Sequence, residues 1–249
     1  MDKASCFLFG INPVLEKLKA SPHEILEILL AKGSSASACR GIDTQARHLG
    51  IPVKYLPADS LARLVEGQRH QGVVAKAAGF SYLRFDELAE GISGTSGLVW
   101  VLILDGLTDP RNFGALLRTA ECVGIHDILI PRDRSVSVTP IVVKASAGAA
   151  HHINIYRTTN LRRAIARLKQ LGLWIVGLDS KAPEAIYDRM YPERLGIVLG
   201  GEGVGIRPLI LRECDYLASI PMRGQVASLN VAVAGGVFLY ELLRQSRSH

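Results

Sequence analysis

Residues 195–230, LGIVLGGEGVGIRPLILRECDYLASIPMRGQVASLN, constrain the fold more than any other part of this 249-residue chain. They contain two apolar runs, 196–199 and 216–220, each reading as a strand buried on both faces of a parallel sheet. Each run ends in a loop of unusual composition. The first is Gly200-Gly201-Glu202-Gly203-Val204-Gly205. The second is Pro221-Met222-Arg223-Gly224-Gln225-Val226-Ala227-Ser228, which opens onto a helix starting near Leu229. Ligands of open α/β sheets sit outside the carboxyl ends of the strands. Two such loops at two such ends predict one shared pocket.

The rest of the chain repeats the strand–helix alternation. Residues 1–78 form a small unit: a helix at 15–18, an apolar run at 24–30, an amphipathic piece at 41–49 and strands at 53–56 and 73–77. Gly50 suits the position just after a helix, where the backbone turns left-handed. Asp59 or Ser60 could cap a helix at 61–67. The turn Arg69-His70-Gln71-Gly72 reads as a polar turn built on its glycine, or as an RNA contact through His70; the residues by themselves favour the turn. Residues 79–97, broken by Gly79, Gly91, Gly94 and Gly97, read as a linker that holds a short helix near 86–90.

Residues 98–249 read as a second domain. A strand at 98–104 is followed by the polar turn Asp105–Asn112 and a helix at 113–123. Asn112 suits the N-cap of that helix. Arg118 lies six residues on, about 120° around the axis. Further strands are expected at 127–130, 153–156 and 173–179. Helices are expected at 137–149, with Thr139-Pro140 in the first turn, at 160–171 and at 229–245. The repeat predicts a parallel sheet with helices on both faces. The last helix begins Val231-Ala232-Val233-Ala234, apolar on nearly every side, which suits burial against the sheet, a partner subunit or both.

Composition narrows the class. With 48% hydrophobic residues the chain can bury a core, and its net charge of +6 makes a polyanionic partner plausible. Most of that excess belongs to residues 98–249, which hold 18 Lys and Arg against 13 Asp and Glu. Cys6, Cys39, Cys122 and Cys214 are scattered without metal spacing, as expected of reduced thiols in the cytoplasm. No signal peptide or membrane span is expected.

Several familiar chemistries fail on spacing. The glycines at 200–205 come late and do not match the dinucleotide fingerprint, and there is no phosphate-binding G-x-x-x-x-G-K-[ST]. A G-x-S-x-G nucleophile elbow is also missing.

Three segments resemble the three motifs of the SpoU (TrmH-type) branch of the SPOUT RNA methyltransferases. They are Asn112-x-Gly114-x-x-x-Arg118, Leu199-Gly200-Gly201-Glu202-Gly203 and Ile220-Pro221-Met222-x-Gly224-x-x-x-Ser228-Leu229-Asn230. The first 78 residues are similar to the substrate-binding domain attached to many rRNA 2′-O-ribose methyltransferases, through Gly10 and His70-Gln71-Gly72-Val73-Val74-Ala75. Asn12 stands where that domain more usually has histidine. The resemblance is closest to bacterial enzymes that methylate a guanosine ribose in 23S rRNA.

That resemblance implies an α/β protein: a trefoil-knotted, parallel-sheet methyltransferase domain preceded by a small α/β, ribosomal-protein-like RNA-binding domain. It implies a cytoplasmic homodimer that uses S-adenosylmethionine, acts on RNA and needs neither metal nor membrane. Leu199, Gly200, Ile220, Met222, Ser228 and Leu229 would cradle the cofactor. Asn112, Arg118, Glu202, Ser228 and Asn230 would be catalytic, and Arg111, Lys144 and His70 would meet RNA.

Arg118 suits a phosphate clamp and charge stabiliser better than a base, because guanidinium stays protonated. Glu202 has a structural alternative, capping backbone N–H groups of its own loop, and Asn230 could be a cap of the second loop. The competing functions are a tRNA or rRNA adenosine 2′-O-methyltransferase and a catalytically silent RNA-binding protein of the same fold. A nucleotide-dependent oxidoreductase is the outsider.

Overall fold

A computed structural model describes residues 5–33, 37–78, 80–226 and 228–246. Gly79 and Ala227 lie outside the described residues, as does the side chain of Cys6. Elements are numbered in chain order. The chain forms two compact units, Met1–Ser81 with Val138–His152, and Tyr82–Ser137 with Ile153–His249.

The first unit contains β1 (Ser5–Phe9), α1 (Ile11–Ala20), β2 (Ile25–Ala31), α2 (Ser37–His48), β3 (Val53–Leu56), α3 (Ala58–Leu64) and β4 (Val73–Ala78). Its sheet runs β1-β4-β2-β3, antiparallel except for the parallel β2–β3 pair. One core cluster joins Phe9, Leu29, Ala31, Leu61, Val65 and Val74. The cap of α3 is Pro57, with no side-chain hydrogen bond, so neither Asp59 nor Ser60 caps it. Both fall inside the first turn, because the proline's extended backbone starts the helix earlier.

The glycine turn ties this unit together. Gln71 Oε1 accepts from the Ile11 N–H at 3.1 Å, at the exposed start of α1, and His70 Nδ1 accepts from the Gly72 N–H at 3.1 Å. The helix α6 (Pro140–Ala145) also belongs here, capped by Thr139 with Pro140 in its first turn. It is shorter than the 137–149 expected from its small residues. Ala147 (φ 53°) and Gly148 (φ 94°) turn left-handed and end it. Gly148 packs on Glu16 so closely that an added Cβ would lie 2.5 Å from the Glu16 Cβ.

The second unit contains β5 (Leu83–Arg84), α4 (Phe85–Ser93), β6 (Val99–Asp105), α5 (Pro110–Cys122), β7 (Asp127–Pro131), β8 (Asn154–Thr158), α7 (Leu161–Gln170) and β9 (Trp174–Leu178). It continues through β10 (Arg194–Gly200), α8 (Pro208–Leu211), β11 (Tyr216–Ala218) and α9 (Val231–Ser246). Part of the 79–97 segment is thus regular structure: β5 pairs with β8, and Leu88 and Ile92 of α4 are buried in the core.

All seven strands are parallel, in the order β11-β9-β10-β6-β7-β8-β5. Alternation along β6 explains why its whole run is apolar. Val101 and Ile103 pack with Leu161, Ile165 and Leu168 of α7. Leu102 and Leu104 point to the other face, and both are buried. Each such side chain contributes about 1.5–3 kcal/mol of hydrophobic stabilisation. On that other face α9 meets α5 and β10 at Gly235, where an added Cβ would lie 2.5 Å from Leu116 and 2.8 Å from Leu199. Among the described residues, no helix is long and apolar enough to cross a membrane.

Candidate active site

The site is built at the carboxyl ends of β6, β9, β10 and β11. β6 ends in Asp105, whose side chain is buried. One of its oxygens accepts from the Arg207 backbone N–H at 2.9 Å, and the other from the Arg207 guanidinium Nε at 2.8 Å. This pair clamps the far side of the first glycine loop. The near side is held by the Gly201 N–H, which donates to the Asp105 carbonyl at 2.9 Å, and by the Gly205 N–H, which donates to the Gly201 carbonyl at 3.0 Å. The loop closes so tightly that a Cβ on Gly200 would sit 2.0 Å from the Gly205 carbonyl carbon, and one on Gly201 2.4 Å from the Gly106 oxygen. Here glycine is required by close approach rather than by backbone angle.

Asn112 is not the N-cap of α5. Asp109 is, accepting from the Arg111 N–H at 2.9 Å, with Pro110 as the first helical residue. Released from capping, the Asn112 amide spans two loops. Its Nδ2 donates to Glu202 Oε1, and its Oδ1 accepts from Asn230 Nδ2 at 3.0 Å. Asn230 in turn caps α9, its Oδ1 accepting from the Ala232 N–H at 2.9 Å. The order Glu202–Asn112–Asn230 therefore links both specialised loops through the first turn of α5. Glu202 reaches another element instead of capping its own loop.

Leu199, Gly200, Ile220, Met222, Ser228 and Leu229 all line one cavity of about 740 Å³, together with Glu202 and Asn230. Asp179, Ser180 and Lys181, after β9, complete its wall. Among the described residues, the backbone of 220–226 and 228–229 makes no intramolecular hydrogen bond, so its N–H and C=O groups are available to a ligand. A second cavity, of about 210 Å³, lies against Asp105, Gly106, Thr108, Asp133, Arg134 and Arg207. The two cavities share Gly201, Glu202, Val204 and Gly205. Glu202 is the ionisable side chain common to both.

Arg118 is not part of the hydrogen-bonded chain. It is exposed on α5 and has no hydrogen-bond partner among the described residues. Arg111 is exposed at the start of the same helix. Lys144 and His70 lie in the first unit. Lys144 Nζ donates to the Arg69 carbonyl at 2.7 Å and sits 4.8 Å from the Phe9 ring centre. Burial, then the Arg69 charge, pull its pKa below the ordinary lysine value. Cys39, Cys122 and Cys214 are free thiols, and no group of three or more His, Cys, Asp or Glu could hold a metal among the described residues.

Sequence reading missed two residues of the site. Asp105 looked like one polar residue of a turn, and nothing near Arg207 in the sequence marks it as the partner of that carboxylate. The available signal was an acidic residue directly after a run of buried residues, where an unpaired carboxylate would be very costly.

Two family models match the chain. The SpoU rRNA Methylase family matches residues 100–240, and the RNA 2′-O ribose methyltransferase substrate binding family matches residues 7–83. The 23S rRNA (guanosine-2′-O-)-methyltransferase RlmB of Shewanella oneidensis is 39% identical over 99% of this chain and 100% of its own. The protein of the same name from Haemophilus influenzae is 38% identical, over 96% of this chain and 97% of its own. Among solved structures, the SpoU methyltransferase AviRb of Streptomyces viridochromogenes, in complex with AdoMet, shares the fold. Its TM-score is 0.80 at 21% identity, covering 98% of this chain and 92% of that one.

Proposed function

This chain belongs to the SpoU rRNA methylase family, and from that membership we propose that it methylates the ribose 2′-hydroxyl of a guanosine in 23S rRNA, with S-adenosylmethionine as methyl donor. The observation that carries the reading is the Glu202–Asn112–Asn230 chain, which joins the two loops at the wall of the larger cavity.

The larger cavity suits the donor. Its volume is in the range of cofactor sites. Gly200 and Gly201 leave main chain where a side chain would intrude, Leu199 and Ile220 supply apolar wall, and the backbone of 220–226 and 228–229, unpaired among the described residues, can read a polar ring edge. Bound there, S-adenosylmethionine supplies an electrophilic sulfonium methyl, which requires alignment more than activation.

The protein's own groups then handle the acceptor. Glu202, facing both cavities, takes a hydrogen bond from the ribose hydroxyl and accepts its proton as the new bond forms. Asn112 holds one Glu202 oxygen and leaves the other free for that task. Asn230 fixes Asn112, and Ser228 presents its hydroxyl to the donor cavity. Arg118, charged and unpaired, clamps an RNA phosphate. Arg111 extends that contact along α5, while Lys144 and His70 would bring the first unit to RNA.

The trefoil knot and the homodimer belong to the same proposal. Support for the knot is a sheet order that inserts β10 between β9 and β6 before the chain returns through 219–230 to Asn112. Support for the dimer is α9, which leaves Val233 and Tyr240 more than half exposed. Residues 1–78 are proposed as the RNA-binding domain, 79–97 as its connection and 98–249 as the methyltransferase domain. The cytoplasm is the proposed location.

The test is a map of ribose methylation across total RNA from cells with and without the gene. One guanosine of 23S rRNA should lose its methyl group in the knockout. Loss at a tRNA or an adenosine would move the substrate, and no loss anywhere would end the proposal.

A further inference from the structure

The second cavity has a chemistry that the methyl-donor site does not explain, and we propose that it seats the acceptor base, with Asp133 and Arg134 selecting guanine. This inference rests on the ribose-methylating reading above. The cavity lies at the carboxyl ends of β6 and β10, where successive strands begin to be added on opposite sides. Such a reversal is where open α/β sheets bind ligands. Because Gly201, Glu202, Val204 and Gly205 wall both cavities, a base placed here leaves its ribose beside the donor. About 210 Å³ is room for one nucleobase, not two.

The ionisable groups around it sort into three sets. Asp105 and Arg207 satisfy each other, and Glu202 is engaged by Asn112. Asp133 and Arg134 remain: both are exposed and without a hydrogen-bond partner among the described residues. Arg134 also takes a left-handed backbone, with φ at 57°. A non-glycine residue held in that region signals a conformation imposed by its surroundings. The surroundings are two anchors, the Arg132 N–H donating to the Thr158 carbonyl at 2.8 Å and the Val136 N–H donating to the Leu107 carbonyl at 2.9 Å.

A free carboxylate beside a free guanidinium matches guanine. Its N1–H and 2-amino group donate to a carboxylate, and its O6 and N7 accept from a guanidinium. Adenine would set the N1 lone pair against the carboxylate. Uracil offers one ring N–H and no amino group.

The experiment uses the full-length protein and an rRNA fragment spanning the mapped guanosine, made with guanosine, inosine or adenosine at that nucleotide. Inosine keeps N1–H and O6 but lacks the 2-amino group. The wild type should lose about 10-fold in kcat/KM on inosine and more on adenosine. Asp133→Ala should lose about 10–100-fold on guanosine and no longer distinguish guanosine from inosine. Arg134→Gly, which relieves the backbone, should also lose rate on guanosine. Calorimetry with S-adenosylmethionine should give wild-type affinity for both variants. Retention of the wild-type preference for guanosine over inosine in Asp133→Ala overturns the inference, while leaving the ribose-methylating reading intact. A wild type that binds no S-adenosylmethionine and methylates none of the three fragments removes that reading and the inference together.

Discussion

Asp105 and Arg207, 102 residues apart in sequence, are joined by a buried carboxylate that holds both the backbone N–H and the guanidinium of the arginine. The pair fixes where the first glycine loop ends, and with it the wall between the two cavities. Asp105→Ala should destabilise the protein by about 3 kcal/mol, because a buried charge-assisted network loses its acceptor. Urea unfolding reads the loss. Arg207→Ala keeps the backbone N–H on the carboxylate but removes its counter-charge, and should also destabilise the protein, by about 2–3 kcal/mol.

Asn112 and Asn230 act as one unit. Each of Asn112→Ala and Asn230→Ala breaks the path from α9 to Glu202, so the double variant should lose little more kcat/KM than either single one. A coupling energy of about 1–3 kcal/mol is expected in the double-mutant cycle. Additive losses would show that the two amides work separately.

Gly201→Ala places a methyl 2.4 Å from the Gly106 carbonyl oxygen. Backbone cannot yield there without moving the loop, so cofactor affinity measured by calorimetry should fall at least 10-fold. Gly203→Ala is the control. It meets no atom within 4 Å and carries only the strain of φ 76°, about 1 kcal/mol. Equal losses in the two variants would refute the close-approach argument.

Arg118→Lys keeps the charge and loses the planar fork. If the side chain clamps a phosphate through two parallel hydrogen bonds, the lysine variant should fall about 10–100-fold in kcat/KM and gain nothing from raised pH. Near-normal rates in the lysine variant would dismiss the clamp.

His151 offers a pH test in the first unit. Its Nε2 is buried without a hydrogen-bond partner among the described residues. Burial first, then the Lys17 and His152 charges, lower its pKa to about 3. Since the folded value lies below the unfolded one, the unfolded chain binds the extra proton between about pH 6.5 and 3. Stability is therefore full above pH 6.5 and falls as pH drops, by up to about 1.4 kcal/mol per unit from this group. Denaturation of His151→Gln between pH 7 and 5 should show a shallower acid slope than the wild type.

Much of the second unit could be read from the chain directly. Runs such as Leu102-Ile103-Leu104 and Ile197-Val198-Leu199 are apolar at every position because both faces of a parallel sheet are covered. Period and length therefore suffice to locate such strands. Asn160 at the start of its helix is a local feature too, accepting from the Arg163 N–H at 3.0 Å. Asn112 shows where local reasoning ends. Asp109-Pro110 starts the helix a turn earlier, and nothing nearby in sequence indicates that Asn112 instead bonds to Glu202, 90 residues on, and Asn230, 118 residues on.

The alternation of strands and helices and the motif set that marks the family were legible in the chain itself. These depend on spacing and on the chemistry of single residues. Tertiary structure alone decided that Asp105 would hold Arg207, that Lys144 would be tied to the Arg69 carbonyl, and that Glu202 would stand between two cavities. Each of those depends on which strand lies beside which, and strand order is set by burial summed over the whole sheet rather than by any short stretch of residues.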